Sequence, residues 1–245
     1  LLEHILGVDG VVLKFRLEQD LTDIQEQAYL AGLARIEQGE PLAYVIGSQP
    51  FWTLDLKVTP DTLVPRPDTE ILVETVLKLP LAANANIVDL GTGTGAIVLA
   101  LASERPQWQV TATDIYPPTL EVAKENAIRH GLVDVQFACG TWFEALNPQK
   151  FDLIVSNPPY IDPEDVHMQK LKSEPERALI ADHQGLADIE TIIVEGKTWL
   201  KSNGWIVLEH GYDQGQKVRE IFNQQGFSQI QTIQDYDSND RVILG

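Results

Sequence analysis

Ser156-Asn157-Pro158-Pro159-Tyr160 is a run suited to holding an amide or amino nitrogen. Two consecutive prolines fix two φ angles and remove two N–H donors. Asn157 precedes a proline and is pushed out of the helical region. The result is a stiff loop that offers two acceptors, the side-chain carbonyl of Asn157 and the main-chain carbonyl of Pro158. Tyr160 adds a flat face two residues on. Two acceptors bind the two hydrogens of a planar NH2 group while a ring covers it, which draws electron density to the nitrogen and aims its lone pair at an electrophile. The same run also reads as a plain turn, since Asn-Pro and Pro-Pro are common turn dipeptides. Its context decides between the two.

A second stretch supplies that context. Ile87-Val88-Asp89-Leu90 is an apolar strand, Gly91-Thr92-Gly93-Thr94-Gly95 a glycine loop, and Ala96 to Ala102 a good helix. Glycines let the main chain turn sharply and approach a ligand, and the helix start behind them presents unpaired N–H groups. Gln109 to Asp114 reads as a second strand ending in an acid, with Asp114 19 residues after Gly95. That is close to the spacing at which an acid meets ribose hydroxyls in nucleotide-binding α/β folds. Gly91, Gly93 and Ala96 also satisfy the dinucleotide fingerprint, so NAD must be weighed. The missing Lys-Ser/Thr excludes a P-loop. The tight Asp-x-Gly-x-Gly-x-Gly form favours S-adenosylmethionine, whose amino-acid end Asp89 would orient directly or through water, unless Asp89 only steadies the turn. Trp142, just past a third strand at 133–138, either walls an adenine ring or belongs to the core.

The elements that position these residues alternate. Strands at 87–90, 109–114, 133–138, 151–156 and 204–210 are separated by helices at 96–102, 118–130 and 185–200, and a further helix spans 212–225. This order implies an α/β fold with a mostly parallel sheet and helices on both faces. Two last strands, 227–233 and 241–244, are expected to pair antiparallel. Ahead of the sheet, Thr22 reads as the N-cap of a helix to Gly39, with Ile24, Ala28, Ala31 and Ile36 as its apolar stripe. Residues 43–60 alternate as a hairpin would, with its turn at Ser48-Gln49-Pro50. The expected organisation is a helical region over 1–42, a hairpin connector over 43–63 and the main domain over 64–245. Asp68 is expected to cap a helix to about Leu79, and Arg66 reads as a surface arginine between two prolines. Residues 161–184 are irregular and polar, and suit a cover over a substrate.

Net charge is −18, of which residues 1–60 carry −5 and the remainder −13. No basic stripe is visible, which argues against a grip on nucleic acid through its phosphates. No apolar run approaches the ~18 residues of a membrane span. The single cysteine, Cys139, excludes an internal disulfide, fits a reducing compartment and reads as core. The histidines at 4, 130, 167, 183 and 210 show no metal spacing, and no metal is expected. The chain opens inside a helical pattern without an initiator Met, so further helix is expected upstream.

Val-Pro-Arg-Pro-Asp-Thr-Glu at 64–70, Asp-Leu-Gly-Thr-Gly-Thr-Gly at 89–95 and Ser-Asn-Pro-Pro-Tyr-Ile at 156–161 closely resemble, in order and spacing, the HemK/PrmC family. Leu208-Glu209-His210-Gly211 and Asn239-Asp240-Arg241-Val242 also look like family sequence. The resemblance covers essentially the whole chain. It implies a class I, Rossmann-like methyltransferase with a mostly parallel seven-stranded sheet and a small N-terminal helical domain that docks the substrate. The implied reaction takes a methyl group from S-adenosylmethionine, leaving S-adenosylhomocysteine, to the side-chain nitrogen of the Gly-Gly-Gln glutamine of peptide-chain release factors. By matching position, Asp89, Gly91, Thr92, Gly93, Thr94, Gly95, Asp114 and Trp142 would hold the cofactor. Asn157 would touch both cofactor and substrate, Pro158, Pro159 and Tyr160 would frame the glutamine amide, and Arg66 would also meet substrate. Thr141 departs from the acidic residue that family members often carry before the tryptophan. A monomeric cytoplasmic enzyme without direct nucleic-acid contact is implied. The alternatives are an adenine or cytosine amino methyltransferase acting on DNA or RNA, a non-catalytic cofactor-binding module, and a NAD-dependent dehydrogenase.

Overall fold

The computed structural model describes residues 1–15, 18, 20–165 and 171–245. The expected cover at 161–184 therefore lies partly outside the described residues, as does His167. Four helices come first: α1 (Leu2–Leu6), α2 (Gly10–Lys14), α3 (Asp23–Glu37) and α4 (Leu42–Ile46). Thr22 closes a capping box with Gln25 at the start of α3, as its position suggests. The expected stripe of α3 is wrong in part. Ile24 is 80% exposed, and the helix turns Gly32 inward against the Leu1 side chain.

The hairpin is shorter than expected. Residues 42–46 form α4 instead of a strand, between Pro41 and a left-handed Gly47. The strands are β1 (Ser48–Phe51) and β2 (Leu54–Lys57), so Ser48-Gln49-Pro50 lies in a strand and the turn falls at Trp52-Thr53. Trp52 takes a φ of 56°, costly for a bulky residue. Tertiary bonds hold it there: its N–H donates to Glu70 at 2.7 Å and its indole to Glu104 at 2.8 Å.

The main sheet contains β3 (Asn86–Leu90), β4 (Gln109–Asp114), β5 (Gln136–Cys139), β6 (Phe151–Ser156), β7 (Leu200–Glu209), β8 (Gln231–Gln234) and β9 (Asp240–Leu244). Its spatial order is β5-β4-β3-β6-β7-β9-β8, and only β9 runs against its neighbours. The intervening helices are α5 (Glu70–Leu77), α6 (Ala96–Glu104), α7 (Pro117–Arg129), the short α8 (Asp182–Gly185), α9 (Ala187–Trp199) and α10 (Gly215–Gln224). Period-two alternation sends Leu153 and Val155 to one core, with Leu72, Val76 and Leu99, and Ile154 to the other, with Ile189, Ile193 and Phe222. β5 starts later than expected, and Cys139 is exposed instead of core. β8 likewise starts later and β7 earlier than the sequence suggests. Asp68 caps nothing: α5 is led by a 3-10 turn, Pro67–Thr69, that follows Arg66 without a side-chain cap bond.

From β3 the chain moves outward through β4 and β5, then returns to place β6 on the other side of β3. This reversal opens a crevice at the carboxyl ends of β3 and β6, where open α/β sheets bind ligands. Leu90 and Ser156 pair in register there, and the Ser156 hydroxyl donates to the Leu90 carbonyl at 2.6 Å. The glycine loop and the Asn-Pro-Pro-Tyr loop thus leave the sheet side by side.

Candidate active site

Two cavities meet in that crevice. The larger, about 310 Å³, is walled by Gly91 to Thr94, Asp114, Ile115, Thr141, Trp142, Asp188, Arg177, Thr69 and Asn157, among others. The smaller, about 220 Å³, is walled by Pro158, Tyr160, Ile161, Leu171 and Leu179. Asn157 and Arg66 line both, with Leu63 and Ala178. Two chambers sharing one amide side chain are what a transfer between two bound molecules requires.

The glycine loop is shaped from its main chain. Gly91 has a φ of 70°, and a Cβ there would lie 3.3 Å from the Trp142 ring, so only glycine lets ring and loop close together. The Gly93 N–H donates to Asp114 Oδ2 at 3.1 Å, while Asp114 Oδ1 accepts from Tyr116 N–H at 3.0 Å. These bonds aim the Asp114 carboxylate into the larger cavity. Burial raises its pKa, against the pull of those N–H groups.

Asp89 stands beneath the loop. It is fully buried, lies outside both cavity walls, and accepts from the Thr92 hydroxyl at 2.6 Å. Its Oδ1 has no hydrogen-bond partner among the described residues. Burial pushes its pKa up to about 7, against the Thr92 bond and with the Asp114 charge. The contact observed is therefore support of the loop. Gly95 also lies outside the cavity, as the left-handed residue that starts α6.

Trp142 lines the larger cavity and packs against the second core, so both readings of it hold. Asp188, at the start of α9, lines the same cavity, and burial raises its pKa against the pull of the Trp142 indole. Arg66 is no plain surface residue. It pairs with Glu174, which is buried and also accepts from Val64 N–H at 3.1 Å. Ile161 N–H donates to Leu179 O at 2.8 Å and Ala181 N–H to Ile161 O at 3.0 Å, so the segment from Leu171 to Ala181 lies over the Asn-Pro-Pro-Tyr loop.

The Asn157 Nδ2 donates to the Thr69 hydroxyl at 3.2 Å, and the Tyr160 hydroxyl donates to Glu209 at 3.0 Å. Burial and the Glu209 charge keep the Tyr160 hydroxyl protonated, with its pKa above the usual range. Sequence reading gave no role to Thr69, Glu174, Arg177, Asp188 or Glu209. Thr69 and Glu209 lay inside quoted stretches. Asp188, on an ordinary helix start, carried no local signal.

The PrmC N-terminal domain family matches residues 1–47, and the Methyltransferase small domain family matches residues 67–181. The release factor glutamine methyltransferase of Salmonella typhimurium is 45% identical over all of this chain and 89% of its own length. That of Escherichia coli K12 gives the same identity and coverage. That of Vibrio cholerae is 50% identical over 87% of this chain and 76% of its own length. Among solved structures, a methyltransferase from Pyrococcus furiosus shares the fold at a TM-score of 0.61 and 21% identity, covering 86% of this chain and 95% of its own. Near-complete coverage at such identity, on a crevice carrying both motifs, makes this chain a member of the release factor glutamine methyltransferase family.

Proposed function

We propose that the chain transfers the methyl group of S-adenosylmethionine to the side-chain amide nitrogen of the Gly-Gly-Gln glutamine of peptide-chain release factors. Family membership supports the reaction class. The observation that carries the residue roles is Asn157 in the wall shared by both cavities.

The residues present fit S-adenosylmethionine. That molecule is cationic at its sulfonium and ammonium groups, and the larger cavity is lined by the carboxylates of Asp114 and Asp188. Asp114 would take the ribose hydroxyls, Trp142 and Ile115 would face the adenine, and the main chain of Gly91 to Thr94 would take the carboxylate. Thr141 offers a hydroxyl where family members often have an acid. When bound, S-adenosylmethionine supplies a methyl on a positively charged sulfur, and attack by the amide nitrogen moves that methyl and leaves the neutral thioether S-adenosylhomocysteine.

Asn157 Oδ1 and the Pro158 carbonyl accept the two amide hydrogens, and Tyr160 holds the amide plane; Pro159, expected to share that task, instead lines the larger cavity. This orients the nitrogen lone pair across the shared wall. No strong base is needed, because the amide proton becomes acidic once the methyl is attached and then leaves to solvent. Orientation and preorganised acceptors carry the rate. Arg66, held by Glu174, fixes the rim where the substrate backbone enters. The helices over 1–42 dock the release factor, a role that suits the exposed side chains of Val11, Phe15, Ile24 and Leu30.

The test is methyl transfer from labelled S-adenosylmethionine, offered in parallel to a release factor, its Gly-Gly-Ala variant, DNA and RNA. Label on the intact factor alone is expected, and label on nucleic acid alone would overturn the reading. Asn157→Ala should lose about 10²–10³ in kcat while still binding cofactor, the cost of one preorganised bond.

A further inference from the structure

A ring that covers an amide must keep one place, because a tyrosine side chain can also swing away about χ1 and χ2. Strand register supplies the means to hold it. β6 and β7 run parallel with Ser156 opposite Leu208, so the chain beyond β6 passes beside the residue after Leu208. That residue is Glu209, the last of β7 and 1% exposed. Its Oε1 accepts from the Tyr160 hydroxyl at 3.0 Å. A carboxyl group offers such an acceptor whether or not it carries a proton.

Further along the same turn, Gln214 holds the other end of the residue. Its Nε2 donates to the Tyr160 main-chain carbonyl at 2.9 Å and to Gln184 O at 3.1 Å. Its Oε1 accepts from Gly211 N–H at 2.8 Å. The three partners fix which way this amide faces, since its oxygen must meet the N–H and its nitrogen the two carbonyls. Gln214 is buried and leads into α10.

Tyr160 is thus tied at its hydroxyl by Glu209 and at its main chain by Gln214. It walls the smaller cavity and not the larger, while Glu209 and Gln214 wall neither. We propose that Glu209 and Gln214 are positioning residues that clamp Tyr160 from both ends and hold its ring against the amide to be methylated. This rests on the reading that Tyr160 covers the reacting amide. The clamp acts on the line of attack, where a misplacement of about 1 Å can cost about 10²-fold in rate. Cofactor binding, in the other cavity, does not depend on it.

The test uses the whole chain, labelled S-adenosylmethionine and a release factor. Glu209→Met removes the acceptor at similar length, and Glu209→Gln keeps an acceptor oxygen. Glu209→Met should lower kcat about 10- to 100-fold, with KM for the factor and Kd for S-adenosylmethionine within about threefold, since a loss of orientation falls on kcat. Glu209→Gln should keep kcat within about threefold of the unaltered chain. Tyr160→Phe, which keeps the ring and loses the bond, should fall as far as Glu209→Met, and combining the two should add nothing, because both remove one interaction. If Glu209→Met does not fold, Gln214→Leu, which frees the main-chain end, should show the same lost kcat and kept cofactor affinity. Unchanged kcat in Glu209→Met or Gln214→Leu would overturn the clamp while leaving methyl transfer intact. So would a Glu209→Gln no better than Glu209→Met, or full additivity with Tyr160→Phe. Failure of the unaltered chain to label the factor would remove the functional reading and the clamp together.

Discussion

Asn157 was legible because its neighbours in sequence restrict it: two prolines and a tyrosine specify a stiff acceptor loop without reference to the rest of the fold. Asp89 shows the opposite case. Its place before the glycines suggested a ligand contact, yet the side chain is buried under the loop and holds Thr92. Its pKa of about 7 lies above that of an unfolded aspartate. The folded state therefore binds this proton more tightly, and the stabilisation that goes with it is complete below about pH 4 and is lost as pH rises through 7. Asp89→Asn, which cannot ionise, should match the unaltered chain near pH 4 and exceed it near pH 8 by on the order of a few kcal/mol. Denaturant unfolding of the cofactor-free protein at the two pH values checks this. A gap that shrinks toward pH 8 would show that Asp89 is not the group responsible.

At the scale of elements, the strand–loop–helix order was readable from apolar runs and glycines. The hairpin was not. Its turn at Trp52 lacks any Asn-Gly signal, and the left-handed tryptophan is held by Glu70 and Glu104, acids far along the chain, and by packing against the core. The joint between α8 and the Asn-Pro-Pro-Tyr loop is a second such feature. Gly185 has a φ of 78°, and a Cβ there would lie 2.0 Å from the Tyr160 carbonyl oxygen. Gln214 bridges the same place, donating to Tyr160 O at 2.9 Å and Gln184 O at 3.1 Å. Gly185→Ala should therefore cost about 2–4 kcal/mol through overlap and backbone strain. It should reduce methyl transfer more than cofactor affinity, because it displaces the Asn-Pro-Pro-Tyr loop and leaves the glycine loop untouched. Parallel unfolding and calorimetric binding measurements separate the two effects.

Across the whole molecule, a charge of −18 acts before any contact forms. A surface of that sign repels a phosphate backbone, so excess duplex DNA should not slow release-factor methylation at about 0.15 M salt. Inhibition that grows as salt is lowered would reveal a basic surface that the composition hides. No helix among the described residues is long and apolar enough to cross a membrane. The sequence by itself determined the parallel α/β class, the glycine and Asn-Pro-Pro-Tyr loops and the side chain most suited to hold an amide. These follow from local rules: apolar runs make buried strands, glycines permit tight turns and prolines freeze their neighbours. Only the tertiary structure decided which distant residues serve those loops. Asn157 meets Thr69, and Tyr160 meets Glu209, through the fold and not by sequence spacing. A buried carboxylate finds its donors wherever folding brings them, and no local pattern encodes that meeting.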